Sequence, residues 1–160
     1  MIALLEVGVR NRFANALEEH FGARFFIGRS QTLEPRLNER LKFAANQVKG
    51  KGLVDTRNAI VSSLSFGFWT MMLNSRNEPK LWVPALRHAF RGKVTSSRQV
   101  LFERLRRVTI LRNRIAHHEN ILYFDEESEV ENIVLLLEAL EPGLSQFAKL
   151  DKDIPLHPVE

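Results

Sequence analysis

Apolar residues recur every three or four positions along most of this chain, and that spacing constrains its fold more than any other feature. The helices predicted in this way are about residues 2–21, 34–48, 56–73 and 79–90, a long helix that opens at Ser96 or Ser97, and a last helix that starts near Glu126 and breaks at Pro142-Gly143. No useful stretch alternates between apolar and polar residues, so no sheet is expected. The sequence predicts an all-α bundle of five to six helices.

The 160 residues fit one domain, since no linker rich in Pro, Gly or Ser divides them. We expect the helical domain to span residues 1–150 and residues 151–160 to form a flexible C-terminal tail. Asp55 is predicted to cap the third helix. The short apolar stretch over residues 121–124 is consistent with an extended segment.

The chain contains no cysteine, which excludes disulfides, a thiolate nucleophile and a cysteine-ligated metal. This is compatible with a reducing compartment, and we expect a soluble, cytoplasmic protein. No run of 18 apolar residues is present, so no transmembrane helix is expected. A membrane is not among the partners that we expect. The first seven residues lack a basic segment and a cleavage site, and they read as helix rather than as a signal peptide.

Charge is distributed unevenly along the chain. Residues 1–124 hold 21 Lys and Arg against nine Asp and Glu, a net charge of +12, whereas residues 125–160 hold two against ten, a net charge of −8. A basic body attracts polyanions such as RNA, DNA or an acidic membrane. The alternative is that the acidic part folds over the basic part and neutralises it.

The long helix carries an arginine among its apolar residues. On an ideal helix Arg112 lies about 40° from Val108, within the apolar seam, while His117 lies on the opposite side and near Asn113. A guanidinium on a buried face needs a partner, and the candidates are a carboxylate, backbone carbonyls or a ligand phosphate. Arg112 and His117 can converge only if the helix ends or distorts between them, or if two copies face each other.

The string over residues 111–119, Leu-Arg-Asn-Arg-Ile-Ala-His-His-Glu, resembles the Arg-Asn-x-x-x-His signature of HEPN domains. More narrowly, it looks like that of the Abi-like (abortive infection, AbiD/AbiF-type) bacterial proteins. Two further regions resemble that group. The first comprises residues 5–11 and 19–22, and the second comprises residues 64–69 and 81–82. The resemblance covers about residues 2–145. Abi-like proteins usually carry a further N-terminal helical stretch ahead of the Arg-Asn helix with which this chain starts.

The resemblance implies a metal-independent endoribonuclease of phage defence or toxin action, with its site assembled between two protomers and without a cofactor. His117 would be the general acid and base, Arg112 would stabilise phosphate charge, and Asn113 would orient the histidine or the phosphate. The products would carry a 2′,3′-cyclic phosphate and a 5′-hydroxyl. RNA, with tRNA as one candidate, a second copy of the chain and an antitoxin or regulatory protein are the expected partners.

Other polar residues are candidates for accessory roles. Those near the motif or on the first helix are His118, Glu119, Glu6, Arg10 and Asn11, and those that would track RNA phosphates are Arg106, Arg107 and Arg114. Glu6 and Arg10 are spaced to form an i, i+4 ion pair. A metal site is disfavoured, because adjacent histidines point about 100° apart and the i, i+4 pair of zinc proteases is missing.

Simpler interpretations stay open for each of these residues. Arg112 can be a structural arginine paired with Glu6, and His117 and His118 can cap the end of a helix. The aromatic cluster over residues 66–69 is expected to pack in the core rather than stack on bases. For the whole chain, the alternatives are a non-catalytic RNA-binding or dimerisation module, or one component of a toxin–antitoxin pair.

Overall fold

The computed structural model describes residues 1–27, 32–52, 56–92 and 96–150, with side chains described to residue 147. Its α-helices are α1 Ile2–Phe21, α2 Pro35–Gly50, α3 Thr56–Ser63, α4 Phe66–Met71, α5 Arg98–Ala116, α6 Glu126–Leu140 and α7 Leu144–Leu150. The described ranges contain no strand, so the predicted all-α class is confirmed. The predicted Asp55 cap and the tail over residues 151–160 lie outside the described residues.

Glycine and proline mark the ends of α1 and α2. α1 stops at Gly22, whose φ of 95° lies in the left-handed region that glycine tolerates best. α2 begins with Pro35, whose fixed φ suits a first turn, and it is followed by Gly52 with a φ of 62°. Both helices bury one apolar stripe and leave the opposite side polar.

The prediction of one helix over residues 56–73 is wrong, because the chain breaks between α3 and α4. Ser65 takes an extended conformation, with φ −68° and ψ 157°, and its Oγ accepts a hydrogen bond from the Phe68 N–H. Ser65 is thus an N-cap, and it starts a second helix at Phe66. The serine side chain competes with backbone carbonyls for a backbone N–H, and this interrupts the helix. The spacing of apolar residues alone does not reveal such a break.

The prediction of a regular helix over residues 79–90 is also wrong. A 3₁₀ turn spans Ser75–Asn77, a single π-helical turn spans Glu78–Trp82, and a second 3₁₀ turn spans Leu86–Ala89. Prolines at positions 79 and 84 each lack a backbone N–H, so the regular series of α-helical hydrogen bonds cannot continue through this segment. Its apolar side chains are nevertheless buried, as with Leu81 and Leu86.

The core lies between α1, α4, α5 and α6. α1 packs on α6 and on the turn over residues 86–89, and α4 packs on α5, where the Thr70 and Thr109 hydroxyls lie 2.8 Å apart. Phe66, Phe68 and Trp69 are each at most 1% exposed. The aromatic cluster is therefore core, as predicted, and it is not a surface for stacking bases.

The acidic part of the chain, residues 125–160, pairs with the basic part through Glu129 and Glu141. Glu129 on α6 binds Arg107 on α5, and Glu141 lies 3.2 Å from Arg12 on α1. These contacts agree with the interpretation that the acidic part neutralises some of the basic charge. Among the described helices, none combines the length and the apolar character needed to cross a membrane.

Candidate functional site

The Arg-Asn-x-x-x-His motif lies at the C-terminal end of α5. The last helical residue is Ala116, and His117 is the capping residue, with its backbone N–H bonded to the Asn113 carbonyl at 3.0 Å. His118 follows with a φ of 54°, a left-handed conformation that is uncommon outside glycine. The helix is therefore regular from Arg112 to Ala116 and ends directly before His117.

Arg114 holds the turn that follows α5. Its Nη1 donates to the Asn120 carbonyl at 3.0 Å, and its guanidinium lies 5.9 Å from the centre of the Phe124 ring. The Asn120 side chain accepts from the Leu122 N–H at 2.8 Å. Residues 121–124 are therefore a turn, and the expectation of an extended segment there is wrong because these local hydrogen bonds satisfy its backbone.

Arg112 forms an ion pair with Glu6, which joins the end of α5 to the start of α1. Arg112 Nε donates to Glu6 Oε2 at 3.2 Å, across 106 positions of sequence. The Arg112 side chain is 39% exposed and that of Glu6 is 23% exposed. The partner that the sequence demands for this guanidinium is thus a carboxylate, and part of the guanidinium still faces solvent.

The other predicted accessory residues lie on the same two elements. Arg10 lies one helical turn beyond Glu6 on α1 and forms no ion pair with a described residue, so the predicted i, i+4 pair with Glu6 is absent. Asn11 is exposed, as are His118 and Glu119 in the turn after α5. Glu119 donates its backbone N–H to the Arg114 carbonyl at 2.8 Å.

The two predicted RNA-binding arginines farther back on α5 have partners within the protein. Arg106 lies 3.3 Å from Glu103 on the surface. Arg107 binds the carboxylate of Glu129, which is 3% exposed, and also donates to the Ser128 hydroxyl at 3.2 Å. Arg107 therefore helps to dock α6 on α5, whatever else it binds.

Apolar side chains are exposed around the end of α5. Leu122 is 88% exposed and Tyr123 is 86% exposed, and Ile115 and Ile121 are each more than 40% exposed. The sequence places Ile115 on the buried seam, but burial ends one turn earlier, at Leu111. The candidate site is thus bordered by apolar surface that the described part of the chain leaves open.

Arg12 is a polar residue with a clear structural role that sequence analysis misses. It donates from Nε to the Ala89 carbonyl at 3.1 Å and from Nη2 to the Leu140 carbonyl at 3.2 Å. Burial lowers the pKa of Arg12 from its ordinary value, and the nearby Arg91 lowers it further while Glu141 opposes the shift. No local pattern signals this role, since both carbonyls come from distant parts of the chain.

The described residues contain no group of three or more His, Asp or Glu side chains that could hold a metal ion. Comparison of the chain with known protein families, with characterised proteins and with solved structures finds no match. The chemistry of the site therefore has to be argued from its own residues.

Proposed function

We propose that this protein is a metal-independent endoribonuclease of the HEPN type, acting in phage defence or as a toxin. The observation that carries the proposal is the arrangement at the end of α5. Arg112 is held by Glu6 yet remains partly exposed, and the exposed His117 follows it at the point where the helix stops. A fixed cation and a solvent-accessible imidazole, five positions apart on one chain, are the minimum equipment for handling a phosphodiester once they are brought together.

The proposed reaction is an attack of the ribose 2′-oxygen on the adjacent phosphorus, with departure of the 5′-oxygen. One imidazole takes the proton of the 2′-hydroxyl and another, or the same one after transfer, protonates the leaving 5′-oxygen. Arg112 binds the phosphate oxygens, on which negative charge builds up in the transition state. The Asn113 side chain, which is exposed one turn before His117, would orient the histidine or the phosphate.

A two-fold dimer would supply the second imidazole. Each chain contributes one His117, so a symmetric pair brings two copies of the motif together. The exposed apolar side chains of Ile115, Leu122 and Tyr123 border the motif, and apolar surface of this kind favours protein–protein contact. We therefore propose that the active species is a homodimer formed across the ends of two α5 helices.

A non-catalytic RNA-binding module is the second candidate. The observation that favours it is the Glu6–Arg112 ion pair itself, because a guanidinium occupied by a carboxylate can be purely structural. In that case RNA would bind with strong salt dependence and remain intact.

Purified protein incubated with tRNA and with total RNA in EDTA separates the two candidates. We expect cleavage that leaves 2′,3′-cyclic phosphate and 5′-hydroxyl ends. His117→Ala should lower the cleavage rate by about 10²-fold or more, since general acid–base groups contribute about 10²–10⁴-fold.

The matched control is His20→Ala, which removes another exposed histidine near the end of a helix, α1. This variant should cleave at the wild-type rate. RNA that is bound but uncut by the wild-type protein would instead identify the non-catalytic module.

A further inference from the structure

A groove between α2 and the α3–α4 pair carries a row of cations that the proposed catalytic site does not use. The groove has a volume of about 1030 Å³, and none of its lining residues belongs to α5 or to α1. It is at the upper end of the size range of small-molecule sites, roughly 300–1,000 Å³. Its floor is apolar and includes the buried side chains of Ala44, Val48 and Phe68.

One wall of the groove is a stripe of cationic, polar and aromatic side chains along α2 and its C-cap residue, Lys51. Its members are Arg36, Arg40, Phe43, Gln47 and Lys51. At 100° per residue around the helix axis, these five positions lie within an arc of about 80°. The stripe runs beside the face that α2 buries. Three positive charges therefore follow one edge of a groove about four turns long.

These cations are not neutralised within the described protein. Arg36, Arg40 and Lys51 form no ion pair with a described residue, and Glu39 is the one acidic residue among the described residues that line the groove. Elsewhere arginines are engaged by carboxylates, as with Arg57 and Glu18 or Arg107 and Glu129. With Glu39 counted, the described lining residues carry a net charge of +2, and a row of this kind attracts an anionic chain.

Phe43 stands among the cations and is 65% exposed. A phenylalanine so placed offers a flat face on which a base can stack, and stacking on aromatic side chains between phosphate contacts is how proteins hold single strands. On the opposite wall, the Ser65 Oγ accepts from the Phe68 N–H, so its own proton is available to a phosphate oxygen.

We infer that this groove binds a single-stranded segment of RNA, with its phosphates on Arg36, Arg40 and Lys51 and a base on Phe43. The inference rests on the proposed function for the identity of the ligand, and it adds a substrate-holding surface apart from the cleavage motif. A purely acidic peptide such as poly-glutamate would satisfy the cations and leave the exposed aromatic ring without a partner, whereas RNA supplies both phosphates and bases.

The test is the binding of a fluorescently labelled, 2′-O-methylated 12-nucleotide RNA to the full chain, followed by anisotropy over a range of salt concentrations. Methylation blocks attack by the 2′-oxygen, so binding is measured whether or not the protein is a nuclease. The double variant Arg36→Gln/Arg40→Gln should weaken binding by about 10-fold or more. It should also reduce the slope of log Kd against log salt concentration by about 1.4, because each of the two lost phosphate contacts contributes roughly 0.7.

The matched control is Lys42→Gln/Lys49→Gln, which removes the same charge from the other side of α2. It should change the dissociation constant by less than about threefold. Phe43→Ala should weaken binding by about 10-fold, whereas Phe147→Ala, at a phenylalanine 68% exposed on α7, should leave it unchanged.

Equal weakening by the two double variants would overturn the inference, because the attraction would then be general. The absence of binding, or displacement of the RNA by an equal concentration of poly-glutamate, would overturn it as well. If the groove variants lose binding while natural RNA is never cut, the groove stands and the nuclease falls. If the groove variants bind normally while His117→Ala abolishes cleavage, the nuclease stands and the groove falls.

Discussion

The Glu6–Arg112 ion pair allows two roles for the arginine, and they differ in what each partner contributes. If Arg112 binds phosphate, Glu6 only positions it. If the pair is purely structural, removing either side chain has the same effect. The two side chains are 23% and 39% exposed, so the pair itself should contribute no more than about 1 kcal/mol to the free energy of unfolding.

Variants at the two positions should therefore separate in activity but not in stability. Arg112→Ala should lower the RNA cleavage rate by about 10²-fold, because a fixed donor to the phosphate is lost. Glu6→Gln should retain cleavage within about 10-fold of wild type. Urea unfolding of both variants should give free energies within about 1 kcal/mol of wild type. Equal loss of cleavage in the two would assign the arginine to the scaffold.

Gly92 is required by a close approach between backbones. A Cβ placed there would lie 2.2 Å from the Glu138 carbonyl oxygen, and the Gly92 N–H bonds to the Ala139 carbonyl at 3.0 Å. Gly92→Ala should therefore lower the free energy of unfolding by about 2–3 kcal/mol.

Gly50→Ala is the matched substitution, since a Cβ at this last residue of α2 meets no atom within 4 Å. It should be neutral or stabilise the protein by up to about 1 kcal/mol. Chemical denaturation measures both variants, and a Gly92→Ala protein as stable as Gly50→Ala would contradict the close packing described for this segment.

The helices α5 and α6 are joined by a charged contact that is buried on one side. Glu129 is 3% exposed and depends on Arg107 for its partner charge. Arg107→Ala leaves a buried carboxylate without a cation, and we expect it to lower the free energy of unfolding by about 2 kcal/mol, less than for a fully buried pair.

Arg106→Ala provides the comparison on the neighbouring residue. Its contact with Glu103 is on the surface, with side chains 60% and 54% exposed, and such pairs contribute little. Thermal and urea unfolding should show a loss of at most about 0.5 kcal/mol. Similar losses for the two arginines would show that Glu129 does not depend on its partner.

Helices with a regular apolar stripe and clear end signals could be predicted from the sequence, and the segments over residues 56–73 and 79–90 could not. Four helices have both an apolar stripe and an end signal. The signals are Gly22 after α1, Pro35 at the start of α2, the Ser97 cap of α5 and Pro142-Gly143 after α6. Where the apolar pattern continues through Ser65, the break depends on a side-chain cap, which the pattern does not encode. Prolines likewise convert an apolar stretch into 3₁₀ and π turns without changing its burial.

The candidate site was predictable only in its local part. The motif on α5 is contiguous, so its residues could be named from the sequence, and the demand of Arg112 for a partner follows from its place on the seam. The links of Arg12 to two distant carbonyls and the groove beside α2 depend on how helices pack, which local spacing does not determine.

For the whole molecule, the exposed apolar turn after α5 predicts an oligomer. Leu122→Asp should convert a dimer to a monomer, because it places a charge in the proposed contact. Loss of the dimer should abolish RNA cleavage. Val83→Asp, at an apolar residue 47% exposed in the segment between α4 and α5, should leave the dimer intact. Analytical ultracentrifugation or light scattering measures the mass of each protein in solution. A wild-type protein that cleaves RNA as a monomer would contradict the proposed dimeric active site.

The proposed nuclease depends above all on His117 as the group that moves the proton. The single-turnover rate constant for cleavage of one defined RNA in EDTA, measured for the wild type, His117→Ala and His20→Ala, tests this most directly. We predict a loss of at least about 10²-fold for His117→Ala alone. Equal rate constants for all three proteins, or an RNA that stays intact in the presence of the wild type, would contradict it.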